Sequence, residues 1–129
     1  MNLLMDYFDH EKLHVYQAAK EFLVITETII KQFPKGRAYL IDQLQRAACS
    51  IQLNIAEGSG EFSPSEKIRF YRMARRSATE CAGILDICND LNLMDKEMSM
   101  KSRAVLLRVV AMLTKMTKVY PQSQAGSHA

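Results

Sequence analysis

The chain lacks any apolar run approaching the roughly 20 residues that a bilayer-crossing helix needs. Its opening, MNLLMDYFDHEK, places acids where a secretory leader requires positive charge. Both absences point to a cytoplasmic protein without a membrane partner. Cysteine is scarce and odd in number: Cys49, Cys81 and Cys88 show no CxxC spacing, and the last two stand seven residues apart on one helix face. That pattern argues against a disulfide framework and suits small buried hydrophobes. No glycine-rich phosphate loop follows a strand, because no stretch reads as a strand, and no Ser/His/Asp grouping can be defended. No internal repeat competes with a simple reading of the chain. Net charge is only +3, so a single subunit would bind nucleic acid weakly through charge alone.

What the chain does have is helical periodicity. With 129 residues, 48% of them hydrophobic, it holds one domain's worth of core, divided among four helical stretches. The first helix is expected from Asp9, a candidate N-cap, to Gln32, with Phe33-Pro34-Lys35-Gly36 as the stop. Two apolar stripes run along it, Tyr16, Ala19, Leu23, Thr26, Ile30 and Phe33 beside Val15, Ala18, Phe22, Ile25 and Ile29. That surface is wider than one helix contact needs. The second helix is expected from Ala38 to Glu57, with Cys49 and Leu53 outward. The third starts at Ser63-Pro64-Ser65-Glu66, which joins a capping box to a proline at the first helical position. Its seam runs through Tyr71, Ala74, Ala78, Cys81, Leu85 and Cys88 until Asn89 to Leu93 breaks the period. The fourth is expected from near Asp95 to about Val119, with a seam of Leu106, Val109, Leu113, Met116 and Tyr120. Val105, Leu107, Val110 and Met112 broaden that seam beyond what three partner helices cover, which again suggests association. Residues 1–120 therefore read as an all-α, antiparallel up-down-up-down four-helix bundle, and 121–129 as a disordered tail.

The second helix carries the most information. Leu40, Leu44, Ala48, Ile51 and Ile55 face the core, and beside them runs a strip of small and polar residues, Gln43, Ala47, Ser50, Asn54 and Glu57. A half-buried strip must satisfy its polar groups, so Asn54 and Glu57 are expected to be buried and hydrogen-bonded to the third helix, with Ser77 or Glu80 among the partners. An interhelical network, joined by Arg46 or Arg69, fits these residues better than acid-base catalysis by a carboxylate pair. Gly58 and Gly60 are expected to end the helix.

Two further constellations carry possible chemistry. His10-Glu11-Lys12-Leu13-His14 is formally HExxH, which on a continuous helix offers two imidazoles to zinc and a glutamate base. Gln17 and Lys20 occupy the places of the extended zinc-binding motif, and no third ligand follows, so catalytic zinc is not expected. The other constellation is basic. Residues 63–80 hold five bases, Lys67, Arg69, Arg72, Arg75 and Arg76, against Glu66 and Glu80, a local charge of +3. Arg69, Arg72 and Arg76 stand at i, i+3 and i+7, so their guanidinium groups form one ridge able to meet phosphates. Many such ridges are simply solvated faces. Lys101, Arg103, Arg108, Lys115 and Lys118 on the fourth helix are possible additions.

The stretch RAACSIQLNIAEGSG, residues 46–60, resembles the arginine, small-residue, Ser-Ile and Asn-Ile-Ala-Glu-Gly signature of a bacterial four-helix-bundle family. That family was first described from proteins encoded in intervening sequences of 23S rRNA genes. Phe8, Leu13, Val15, Tyr16, Gln17 and Ala18 resemble its first helix, Phe33-Pro34 its first turn, and Glu66, Arg69, Phe70, Ala74, Ser77 and Glu80 its third helix. The resemblance spans residues 8–120. It implies a structural network of Arg46, Asn54, Glu57, Gly58, Ser77 and Glu80, and a ring-like homopentamer without catalytic residues, metal or cofactor. Its association with rRNA genes, and a similarity to pentameric accessory proteins of retroelements, imply RNA as a partner through Lys67, Arg69, Arg72, Arg75 and Arg76. The alternatives are a protein-interaction module without nucleic acid and, more remotely, a metal enzyme using the HExxH. Gln52, Glu61, Lys67 and Arg76 depart from the family's common residues, and all four are expected at helix exteriors or turns.

Overall fold

A computed structural model describes residues 7–118. Within them a short 3-10 turn, Asp9–Lys12, precedes α1 (His14–Ile30), α2 (Ala38–Ser59), α3 (Pro64–Asp90) and α4 (Lys96–Thr117). Each helix packs on its sequence neighbours, and α4 closes back on α1. No diagonal pair, α1 with α3 or α2 with α4, packs comparably among the described residues. Short connections reverse the chain each time, which makes this the expected antiparallel bundle. The bounds expected near Val119, the seam position Tyr120 and the tail from 121 lie outside the described residues.

The core is built from the predicted stripes. Val15, Phe22 and Ile29 from α1 meet Leu40, Leu44, Ile51 and Ile55 from α2, Ala74, Ala78, Cys81 and Cys88 from α3, and Val105, Val109 and Leu113 from α4. Both α1 stripes are largely absorbed inside one chain, with Leu23, Ile30 and Phe33 partly covered and Val24 outward. Cys49 takes the outward place expected of it on α2, against the burial suggested for the cysteines as a group. It lies exposed on the outer face of α2, whereas Cys81 and Cys88 are buried.

The start of α1 also differs. Leu13 is extended, with φ −82° and ψ 130°, and separates the 3-10 turn from α1, so Asp9 does not cap a helix that runs on from it. The physical reason is visible in the packing, since Leu13 turns its side chain against the core. A continuous helix would carry Leu13 and Val15 to faces about 200° apart. The end of α3 has a clear cause as well. Asn92 adopts φ 56°, the Leu93 N–H donates to the Cys88 carbonyl at 2.8 Å, and the Asn92 N–H donates to the Asn89 carbonyl at 3.0 Å. This double closure satisfies carbonyls that the helix end would otherwise orphan, and Leu93 packs back on the core. At the starts of α3 and α4, Ser63 Oγ accepts from the Glu66 N–H and Asp95 Oδ1 accepts from the Met98 N–H. Among the described residues no helix is long and apolar enough to cross a membrane.

Candidate nucleic-acid interface

The α2–α3 seam orients the basic surface, and a glycine permits its close approach. A Cβ on Gly58 would lie 2.8 Å from Tyr71 Cε1 and 3.0 Å from Phe70 Cβ. Gly58 therefore does not terminate α2. It is buried within the last turn, which ends at Ser59, and its missing side chain lets α3 pass. Farther along the seam, Ser77 Oγ donates to Ser50 Oγ at 2.8 Å, and Asn54 Nδ2 donates to Ser50 Oγ and to the Ser50 carbonyl. Asn54 is buried as expected, but its partner lies on its own helix, and Ser50 is the bridge to α3. Arg46 pairs with Glu80 at 2.8 Å across the two helices, in an exposed position.

Glu57 corrects the sequence reading. It lies exposed at the margin of the seam, because the strip drifts outward over its last turn and Gly58 takes the inward place. Lys67 is a second correction. Its Nζ donates to the carbonyls of Ser59 at 2.9 Å and Gly58 at 3.3 Å, so the charge closes the C-terminus of α2 instead of joining the ridge. A cation suits that place, where unpaired carbonyls and the helix dipole are both negative. Gln52 is likewise no exterior residue. It is half-buried, and its Nε2 donates to the Tyr16 hydroxyl at 3.0 Å, which ties α2 to α1. Arg76 is exposed as expected, and Glu61 is half-buried in the α2–α3 turn.

The ridge itself is divided. Arg69 reaches Glu66 through Nε and Nη2, the latter at 3.0 Å, and its guanidinium lies 4.5 Å from the Phe70 ring centre. Glu66 raises the Arg69 pKa through this bond and its charge, and Glu61 and Glu57 add in the same direction. Arg72, Arg75 and Arg76 are exposed, and none has an acidic partner among the described residues. Ser65, Arg69, Arg72, Met73 and Arg76 line a shallow open depression along α3. Of the possible additions on α4, Arg108 is held by Glu21 of α1 at 3.1 Å.

The HExxH pentapeptide straddles the break at Leu13, so His10 lies on the 3-10 turn and His14 opens α1. His10 packs between the rings of Phe8, at 5.7 Å, and Tyr16, at 4.5 Å. Glu11 Oε1 accepts the Phe8 N–H, which commits that carboxylate to the turn. Among the described residues no group of three His, Cys, Asp or Glu is placed to hold a metal.

Two residues that matter here carry little signal in the sequence. Tyr71 belongs to the predicted seam, but its spacing does not mark it as the ring that requires Gly58. Phe62, between Gly60 and the Ser63 cap, belongs to no stripe, and only its type could point to it, since an aromatic in such a turn has no core to enter. No curated protein matches the chain. Residues 11–115 match the family model described as 23S rRNA-intervening sequence protein, and with four-fifths of its length inside that match the chain belongs to this family.

Proposed function

We propose that the protein is a non-enzymatic, self-associating cytoplasmic scaffold that binds RNA through Arg72, Arg75 and Arg76. The observation that carries the reading is their freedom. Three neighbouring arginines stand exposed on one helix with no carboxylate to neutralise them among the described residues, while Arg46, Arg69 and Arg108 each have one. An unpaired guanidinium cluster on a rigid helix suits phosphate, which it can meet through several N–H donors. The family's association with rRNA supports RNA as the source of those phosphates. Self-association, as a pentamer by family resemblance, multiplies the phosphates engaged and offsets the modest charge of one subunit. Outward Val24, Leu53, Met100 and Leu107 supply apolar surface for it, and a closed ring needs two different faces on each subunit.

Polarisation with a fragment of 23S rRNA across a salt series tests the reading. The double change R72E/R76E should weaken binding similarly across sequences and flatten the salt slope by roughly 0.7 to 0.9 for each phosphate no longer neutralised. No binding at about 50 mM salt by an intact oligomer would favour a protein-interaction role, which the outward apolar residues also suit. Light scattering tests association separately, and a stable 14.7 kDa monomer at micromolar concentration would end that part of the proposal.

A further inference from the structure

Phe62 is 98% exposed, more than any other large hydrophobic residue described. It stands in the α2–α3 turn, directly before the Ser63 cap and three residues before Ser65, where the arginine-lined depression begins. We propose that Phe62 is a base-stacking platform and that the preferred ligand is single-stranded RNA, its bases on this ring and its phosphates on Arg72, Arg75 and Arg76. The inference rests on the RNA-binding reading above and specifies the substrate class of that surface.

Two features of the turn favour a base there over a phosphate. The ring is apolar and open to solvent, and every nucleobase offers it a π-face. The charges near the turn are spent inside the chain, because Glu66 engages Arg69 and Lys67 Nζ is held by the Gly58 and Ser59 carbonyls. The turn therefore offers a phosphate no unpartnered cation, while an uncharged base face needs none. The unpaired arginines begin at Arg72, roughly 12 Å along α3 from its start at Pro64, and Phe62 stands just before that start. A stacked strand advances about 3.4 Å per nucleotide, so ring and arginines are separated by about four nucleotides. Both then lie within one short single-stranded site. A duplex meets the arginines equally well but hides its base faces, so the ring adds nothing to duplex binding.

The full-length protein should be titrated with a labelled single-stranded ribo-oligonucleotide and with a hairpin of the same base composition whose loop is a flexible linker without bases, so that no unpaired base is on offer. Phe62→Ala should weaken single-strand binding about ten-fold or more, leave hairpin binding unchanged and keep the salt slope, whereas R72E/R76E should weaken both ligands and flatten the slope. Phe62→Trp should retain affinity. The chain has no tryptophan, so that indole would be the sole one, and its emission should be quenched by the single strand and not by the hairpin. Unchanged single-strand binding by Phe62→Ala, or equal losses on both ligands, overturns the stacking role while leaving the arginine reading in place. Loss of self-association in Phe62→Ala, seen by light scattering, also overturns it and assigns the ring to a protein contact. If no oligonucleotide binds the parent protein, both readings fall together.

Discussion

Replacing Gly58 by alanine adds one methyl group and puts two opposing effects in competition. Alanine favours a helix over glycine by about 1 kcal/mol in an interior turn, and Gly58 lies in the last turn of α2, where the gain is smaller. Against it stands the steric conflict across the seam. The new Cβ would sit 2.8 Å from Tyr71 Cε1 and 3.0 Å from Phe70 Cβ. Tyr71 is buried and cannot swing away freely, and a Cβ moves only with its backbone. Overpacking of this kind costs about 1 to 3 kcal/mol, so Gly58→Ala should lose about 1 to 2 kcal/mol overall. For a domain of this size that lowers Tm by roughly 4 °C per kcal/mol. Urea unfolding followed by circular dichroism should show a lower midpoint with an unchanged slope. In a Tyr71→Leu background the penalty should shrink without vanishing, because Phe70 Cβ remains. A Gly58→Ala protein that melts at or above the parent would show that propensity outweighs crowding and that the helices do not approach as described.

Other perturbations separate what is held from what is merely nearby. Arg46 and Glu80 are 62% and 40% exposed, so a double-mutant cycle should give a coupling of only about 0.2 to 1 kcal/mol, fading with salt. Thr26 is fully buried and its Oγ1 has no hydrogen-bond partner among the described residues; Thr26→Val should be neutral or stabilising by up to about 1 kcal/mol in thermal melts. Only Cys49 should react quickly with a thiol reagent under native conditions, with Cys81 and Cys88 released on unfolding. Burial pushes the Cys81 thiol up to about 12. Its contribution to stability is therefore complete below the ordinary thiol pKa and lost as pH rises through the folded one. Across that alkaline window the parent should lose up to about 1.4 kcal/mol per pH unit more than Cys81→Ala.

The bundle is legible in the sequence because its information is periodic. Leu40, Leu44, Ile51 and Ile55, or Ala74, Ala78, Cys81 and Cys88, repeat at threes and fours, and burial enforces that spacing regardless of detail. The Ser63 cap is legible for a similar reason, since its hydroxyl acts on an N–H three residues away, although the Glu66 carboxylate expected to complete the capping box reaches Arg69 instead. The misreadings share another cause. Whether Glu57 faces in or out depends on a drift accumulated over about four turns from Gln43, and Lys67 finds its carbonyls eight and nine residues away across a turn. Gln52 finds Tyr16 on another helix. Local periodicity does not encode such partners, and a long side chain with a polar tip reaches several of them. The break at Leu13 is hidden differently, because one extended residue leaves an apolar pattern almost intact.

The same distinction bears on how the basic surface arises. Net charge counts Lys67 and Arg69 equally with Arg72, yet their surroundings sort them into different tasks. Lys67 closes α2, Arg69 answers Glu66, and Arg46 and Arg108 fasten neighbouring helices. Each of these cations has a negative partner within the chain, so each offers an incoming phosphate less than a free cation would. Arg72, Arg75 and Arg76 have no such partner among the described residues. Their positions follow from the core on the opposite side of α3, since Tyr71, Ala74 and Ala78 are buried and the intervening residues must point outward. The seam that fixes α3 against α2 thus also fixes which arginines face solvent, and it presents them on a rigid helix without a strongly basic chain.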